Sequence, residues 1–207
     1  MAGVMSTDAA TSDALRFHVC LLWADGRPPV LDERELADTV QLILIDQLEA
    51  WANRLLGSLA PGPVADTTVV PPPTDGPGGV AGRLLWTAVP ELGRRLSSPG
   101  FRPDLAASVL AETATTARRD LRRLHAAPLL RPAVRGGWLT AHLDLLAALS
   151  VAARPMMPGW SSFVARHLGV REDAQWPPRP GTGGRLLTPG HRLPAGLPVY
   201  FRVPHGY

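Results

Sequence analysis

Arg118, Arg119, Arg122 and Arg123 recur at helical spacing, as two pairs each one turn apart. A guanidinium is planar, permanently charged and able to grip a phosphate with two parallel N–H donors. Four of them on one helix face therefore suit a polyanion. The competing reading is a solvated face neutralised by Asp104, Glu112 and Asp120. His18 and Cys20 have the composition of a nucleophile–base pair, but two positions apart on a helix they do not face each other. A satisfied core histidine beside a buried thiol is the expectation there. Other chemistries lack their residues. All 21 basic residues are Arg, so a P-loop, which requires a lysine, is excluded. No glycine-rich dinucleotide fingerprint follows a strand. The six His are scattered without helical metal-ligand spacing and Cys20 has no nearby second Cys, so no metal site is expected. No catalytic residue and no cofactor is nominated.

The elements that must carry these residues are helical. Residues 1–12 read as a disordered leader, followed by a short helix from Asp13 to Trp23 and a turn over residues 24–29. Asp32, three residues before Glu35, forms a capping box and opens a helix that runs to about Leu59. Leu36, Val40, Ile43, Leu44, Trp51 and Leu55 share one face, and Leu42 and Ile45 extend the apolar surface, which predicts a central, buried helix. Residues 61–82, with Pro61, Pro63, Pro71, Pro72, Pro73 and Pro77, form a long Pro/Gly-rich loop. A short helix at 84–96 precedes a long one at 103–125. There Leu110, Ala114, Ala117, Leu121 and Leu124 make an apolar stripe opposite the arginines. Pro128, Pro132 and Gly136-Gly137 end that unit. The last long helix begins near Trp138, carries Leu139, His142, Leu145, Leu146 and Leu149, and stops at Pro155-Met156-Met157-Pro158. A short helix at 160–168 closes on Gly169. The helices at about 33–59, 103–125 and 138–153 should pack as a bundle with Trp51, Leu121, Leu146 and Met157 in its core. The tail, 175–207, is extended and lies along the body.

Composition bounds the class. With 207 residues, 45% of them hydrophobic, the chain can bury one core. A lone cysteine permits no internal disulfide and fits a reduced, cytoplasmic protein. No apolar run reaches the length of a membrane helix, and Met1 to Asp13 has no signal-peptide pattern. Residues 1–60 hold 4 Arg against 9 acids, whereas residues 83–135 hold 10 Arg against 4. An acidic first part and a basic second part is compatible with a polyanion partner on one side, and equally with an ordinary surface.

Three passages, in order, resemble methionyl-tRNA synthetase. Asp13-Ala14-Leu15-Arg16-Phe17-His18 is similar to the DALRYY-type segment that follows the KMSKS loop in that family. The helix ending Glu49-Ala50-Trp51-Ala52-Asn53-Arg54 resembles the family's LANxLGNLxNR stretch. Leu149-Ser150-Val151-Ala152-Ala153-Arg154-Pro155-Met156-Met157-Pro158 is similar to LLxPFMP. It is followed by Leu168-Gly169, Trp176, Gly190-His191-Arg192-Leu193 and a close at 197–203 that resembles LFPRI. The likeness covers about residues 12 to 203.

The resemblance implies an all-α antiparallel helix bundle of the class Ia synthetase anticodon-binding type, with the stem-contact segment in 13–60 and the remaining helices in 83–174. The family's Rossmann domain, with its HIGH and KMSKS signatures, is not in this sequence, so no enzyme activity is expected of the chain on its own. Arg54 matches the family's anticodon-reading Arg, but Ala50 stands where the family has Asn. No Trp follows the long helix; His125 is the nearest substitute. The resemblance and the Arg stripe together nominate Asn53, Arg54, Arg118, Arg119, Arg122, Arg123 and His125 for RNA binding. Two functions remain in play. One is a free-standing, non-catalytic domain binding tRNA or another RNA. The other is an interaction subunit that docks on a separate catalytic, synthetase-like protein partner. Neither DNA nor membrane is an expected partner.

Overall fold

Asp32 starts the longest helical rod. Its backbone is extended, and its carboxylate accepts from the N–H groups of Arg34 and Glu35 at 2.7 and 3.3 Å. Two donors that a helix start leaves orphaned are thereby satisfied. The computed structural model describes residues 7–23, 30–59, 79–97, 99–127, 129–171, 174–178, 186–187 and 191–203. In it the rod consists of α2 (Glu33–Thr39), a π-helical stretch π1 (Val40–Glu49) and α3 (Ala50–Leu59) without a break. The other helices are α1 (Thr7–Leu22), α4 (Gly79–Leu96), α5 (Pro103–His125), α6 (Pro132–Ala152) and α7 (Pro158–Leu168). Among the described residues there is no β-strand, only one antiparallel bridge between Val170 and Leu187.

Buried Val40, Leu44 and Leu48 recur every fourth residue and line the packed side of the π stretch. Strand-like alternation is absent throughout.

Side-chain contacts set the helix directions. Gln47 meets Arg118 and Ser58 meets His125, so the π1–α3 rod and α5 run the same way. Short connections reverse the chain between α4 and α5 and between α5 and α6, giving an up–down bundle. The Leu110–Ala114–Ala117–Leu121–Leu124 stripe is buried as read from the sequence. Trp51, Leu121, Leu146 and Met157 are all fully buried.

The central helix is not the one expected. Leu42 on the rod is 57% exposed and Ile45 is only half-buried, so the rod packs on one side. From Leu139 to Ala152, by contrast, only Ala141 and Asp144 escape full burial, and α6 occupies the middle. Boundaries also differ. Helix α1 begins at Thr7 rather than Asp13, favoured by the strong helix former Ala at positions 9 and 10. Helix α4 begins at Gly79, so 79–82 are helical, while residues 60–78 of the expected loop lie outside the described residues. Pro132 opens α6 instead of closing the preceding unit. Its fixed φ and missing N–H suit the first helical position, and Pro103 and Pro158 serve α5 and α7 in the same way. Gly136 and Gly137 then lie inside α6. Helix α7 ends as expected on Gly169, in the left-handed region at φ 66°.

The described part of the tail is tied to the bundle by several hydrogen bonds. Trp176 Nε1 donates to Ala152 O at 3.1 Å, and His191 Nε2 stands 3.1 Å from His167 O. Glu49 Oε1 accepts from both Tyr200 N and Phe201 N, at 2.8 and 2.9 Å. Asp13 Oδ2 accepts from Trp160 N and from the Tyr200 hydroxyl, at 2.6 and 2.8 Å. Leu197, Tyr200 and Phe201 are buried there.

Candidate functional site

The second half of α5 divides its residues between core and surface. Ala117, Leu121 and Leu124 are fully buried, which leaves Arg118, Arg122 and His125 on one flank at i, i+4 and i+7. Arg119 and Arg123 form the adjoining exposed row. The rod approaches the first flank. Arg118 Nη1 donates to Gln47 Oε1 at 3.1 Å. Burial pushes the Arg118 pKa down, and the neighbouring guanidiniums of Arg122 and Arg54 push the same way, opposed by Asp46. Arg54, exposed on α3, thus shares its field with Arg118 and Arg122 although it lies more than sixty positions away in sequence.

His125 ends the row. It is half-buried, with Nε2 2.7 Å from Ser58 Oγ, and Ser58 donates to Arg54 O at 2.6 Å. Burial lowers the His125 pKa, and Arg135, Arg54 and His142 lower it further. Of the residues nominated from sequence, Arg54, Arg118, Arg122 and His125 therefore come together, with Arg119 and Arg123 on the next row. Asn53 is turned elsewhere: its Oδ1 accepts from Leu197 N at 2.6 Å and holds the tail.

Two of the three carboxylates that would have neutralised the stripe are engaged elsewhere, and the third, Glu112, is exposed on α5 and forms no ion pair among the described residues. Asp104 pairs with Arg102 at 2.7 Å. Asp120 points inward and stands 3.3 Å from His142 Nε2. Among the described residues no ion pair includes Arg54, Arg118, Arg119, Arg122 or Arg123.

Beneath this surface a buried polar chain ties three helices. Trp51 Nε1, which can only donate, meets His142 Nδ1 at 3.2 Å. That nitrogen is therefore bare, and the neutral ring carries its proton on Nε2, facing Asp120. The His142–Asp120 contact is not aligned as a hydrogen bond, so the attraction is electrostatic. The chain fixes α3, α5 and α6 relative to one another, and with them the arginines above.

Arg135, Ser58 and Gln47 were not nominated from sequence. Arg135 falls between Pro132 and Gly136, inside a stretch read as a helix breaker. The His18–Cys20 pair offers no activated nucleophile. His18 is buried with Nδ1 2.9 Å from Thr39 Oγ1, and burial pushes the Cys20 thiol up, against thiolate formation. Among the described residues no group of His, Cys, Asp or Glu is placed to hold a metal ion, and no helix is long and apolar enough to cross a membrane.

No protein-family model and no curated protein matches this chain by sequence. In three dimensions it is similar to a solved structure of the apo, free-state methionyl-tRNA synthetase of Mycobacterium tuberculosis. The TM-score is 0.66 at 18% sequence identity, over 97% of this chain and 42% of that one. The likeness is one of fold, and the chain spans less than half the length of the synthetase it matches.

Proposed function

We propose that this chain is a methionyl-tRNA-synthetase-like domain of the anticodon-binding type, cytoplasmic and non-catalytic alone, that binds tRNA or another RNA. The observation that carries the reading is the arginine surface built from two helices, Arg54 on α3 with Arg118, Arg119, Arg122 and Arg123 on α5, none of them in an ion pair among the described residues. Guanidiniums without carboxylate partners retain their full capacity for phosphate. The fold likeness to a tRNA synthetase supports the choice of RNA as the polyanion. Ala50 and His125 stand where the family uses Asn and Trp, so binding is expected to be electrostatic and to lack preference for a methionine anticodon.

The test is tRNA affinity against salt concentration. Four to five phosphate contacts on a flexible strand give a log–log slope of about −3. Arg119→Ala with Arg123→Ala should weaken binding to all tRNAs alike and flatten the slope by about 1.4. No binding of the parent chain at low salt would overturn the reading.

A second reading has its own observation. Val30 is 90% exposed, and Leu31 and Leu42 are also exposed, beside the exposed acids Asp32, Glu33, Glu35 and Asp38. An apolar, acidic edge of this kind fits docking on a basic surface of a catalytic protein partner. Co-purification with a synthetase-like partner, lost on Leu31→Asp with Leu42→Asp, would favour it.

A further inference from the structure

Three helices meet at His125, and the hydrogen bonds there settle which ring nitrogen titrates. The single hydroxyl proton of Ser58 goes to Arg54 O at 2.6 Å. Ser58 Oγ is then left to accept from His125 Nε2, 2.7 Å away. Nε2 therefore carries its proton in both charge states of the ring, and Nδ1 is the nitrogen that gains or loses one. Among the described residues Nδ1 has no hydrogen-bond partner.

The residues whose charge acts on the ring are basic. Arg54 on α3 and Arg135 on α6 push its pKa down, as does His142 on α6 when protonated, and Arg122 lies one turn back on α5. The nearest carboxylate on α5, Asp120, is buried against His142. Arg54 and Arg135, on different helices, thus both bear on an imidazole whose Nδ1 is a vacant proton site, and no carboxylate acts against them on the ring.

We infer that Arg54, Arg135 and His125 form a phosphate subsite at the end of the arginine surface, and that a backbone phosphate entering it brings a proton onto His125 Nδ1; this rests on the RNA reading above. Each guanidinium presents paired donors to the phosphate oxygens. The proton comes from solvent, and Nδ1–H becomes a further charge-assisted donor to the anion. Without the anion, burial and the surrounding cations hold the ring neutral. With it, the repulsion is offset and the pKa of the ring rises. The sign of the linkage follows. Affinity is complete below the pKa of the free protein and declines as pH rises through the pKa of the complex, by at most tenfold per pH unit.

The probes are a short single-stranded RNA and inorganic phosphate, used separately on the full chain. The His125 Cε1–H proton resonance is followed against pH, assigned by its loss in His125→Gln. RNA should raise the His125 pKa by about one unit, which is tenfold in affinity across the window. His125→Gln should flatten the pH dependence of RNA affinity while keeping a donor for Ser58. Arg135→Lys, which keeps the charge but loses the fork, should shrink the pKa rise, whereas Arg94→Gln, on the exposed Glu91 pair, should leave it unchanged. RNA that binds without moving His125 overturns the subsite and leaves the RNA reading intact. A rise with inorganic phosphate but none with RNA supports the anion subsite and overturns its assignment to RNA. No RNA binding and no shift with phosphate overturns both.

Discussion

Glu49→Ala removes the acceptor shared by the backbone N–H groups of Tyr200 and Phe201. Both donors lie beneath buried aromatic rings, where water cannot replace the carboxylate. An orphaned buried donor costs about 1–3 kcal/mol, so two cost about 2–6 kcal/mol. The cost is capped because the tail can release. Releasing it gives up the burial of Tyr200 and Phe201, about 1.5–3 kcal/mol each. The two estimates converge on a loss of about 3–5 kcal/mol at neutral pH. Glu49→Gln is a different perturbation. It keeps a side-chain oxygen for the two donors and removes the buried charge, so it should cost less than about 1 kcal/mol.

The pH dependence separates the two variants further. Burial pushes the Glu49 carboxyl above its ordinary range, only partly opposed by the two N–H donors. The folded state then holds the proton more firmly than the unfolded chain. Stability from this group is present at low pH and is lost as pH rises from the unfolded pKa through the raised folded value. The difference between parent and Glu49→Gln should therefore shift in favour of the parent on acidification through that window. Urea unfolding followed by tryptophan fluorescence, with proteolysis of residues 197–203 as a local readout, measures both effects. An alanine variant within about 0.5 kcal/mol of the parent, or a glutamine variant as damaged as the alanine one, would refute the reasoning.

Three further outcomes follow from the same contacts. Asn53→Ala should lower stability by about 1–2 kcal/mol through Leu197 N while leaving the salt slope of RNA binding unchanged, since its oxygen holds the tail; a flattened slope would show that it contacts RNA. Gly169→Ala should cost about 1–2 kcal/mol in thermal unfolding, because the position is left-handed and a Cβ there would meet the His191 ring. Trp51→Phe should destabilise by about 2–3 kcal/mol, combining lost volume with an unmet His142 Nδ1, and a change below about 0.5 kcal/mol would mean that the buried polar chain contributes little.

Local rules reached α5 and α7 almost to the residue. A proline at the first helical position, an apolar stripe with no interruption and a terminal glycine all act within a few residues of the boundary they set. Helix α6 was misjudged for the opposite reason. Pro132 and Gly136-Gly137 are breakers by propensity, yet Pro132 is at a helix start and the glycines lie inside the helix, where a Cβ at Gly136 would meet nothing within 4 Å. That error also hid Arg135. The rod's apolar content suggested a central position, but composition does not reveal on how many sides a helix is packed, and Leu42 shows that one side stayed open. At the site, the spacing of α5 displayed its own arginines, while the convergence of Arg54 and His125 depends on the parallel course of α3 and α5. The tail clamps were illegible altogether. Asn53–Leu197, Glu49–Tyr200 and Asp13–Tyr200 join residues 144, 151 and 187 positions apart, and no local pattern encodes such pairs.

The claim that the arginine surface is an RNA site is tested most directly by mapping where RNA touches the chain. tRNA substituted with 4-thiouridine would be bound to the purified full chain at low salt, irradiated, and the crosslinked peptides identified. Adducts should concentrate in peptides from residues 47–59 and 118–135, and should disappear when Arg54, Arg118 and Arg122 are replaced by Gln in a chain that still unfolds cooperatively. Adducts confined to other peptides, or an undiminished pattern in the triple variant, would contradict the account.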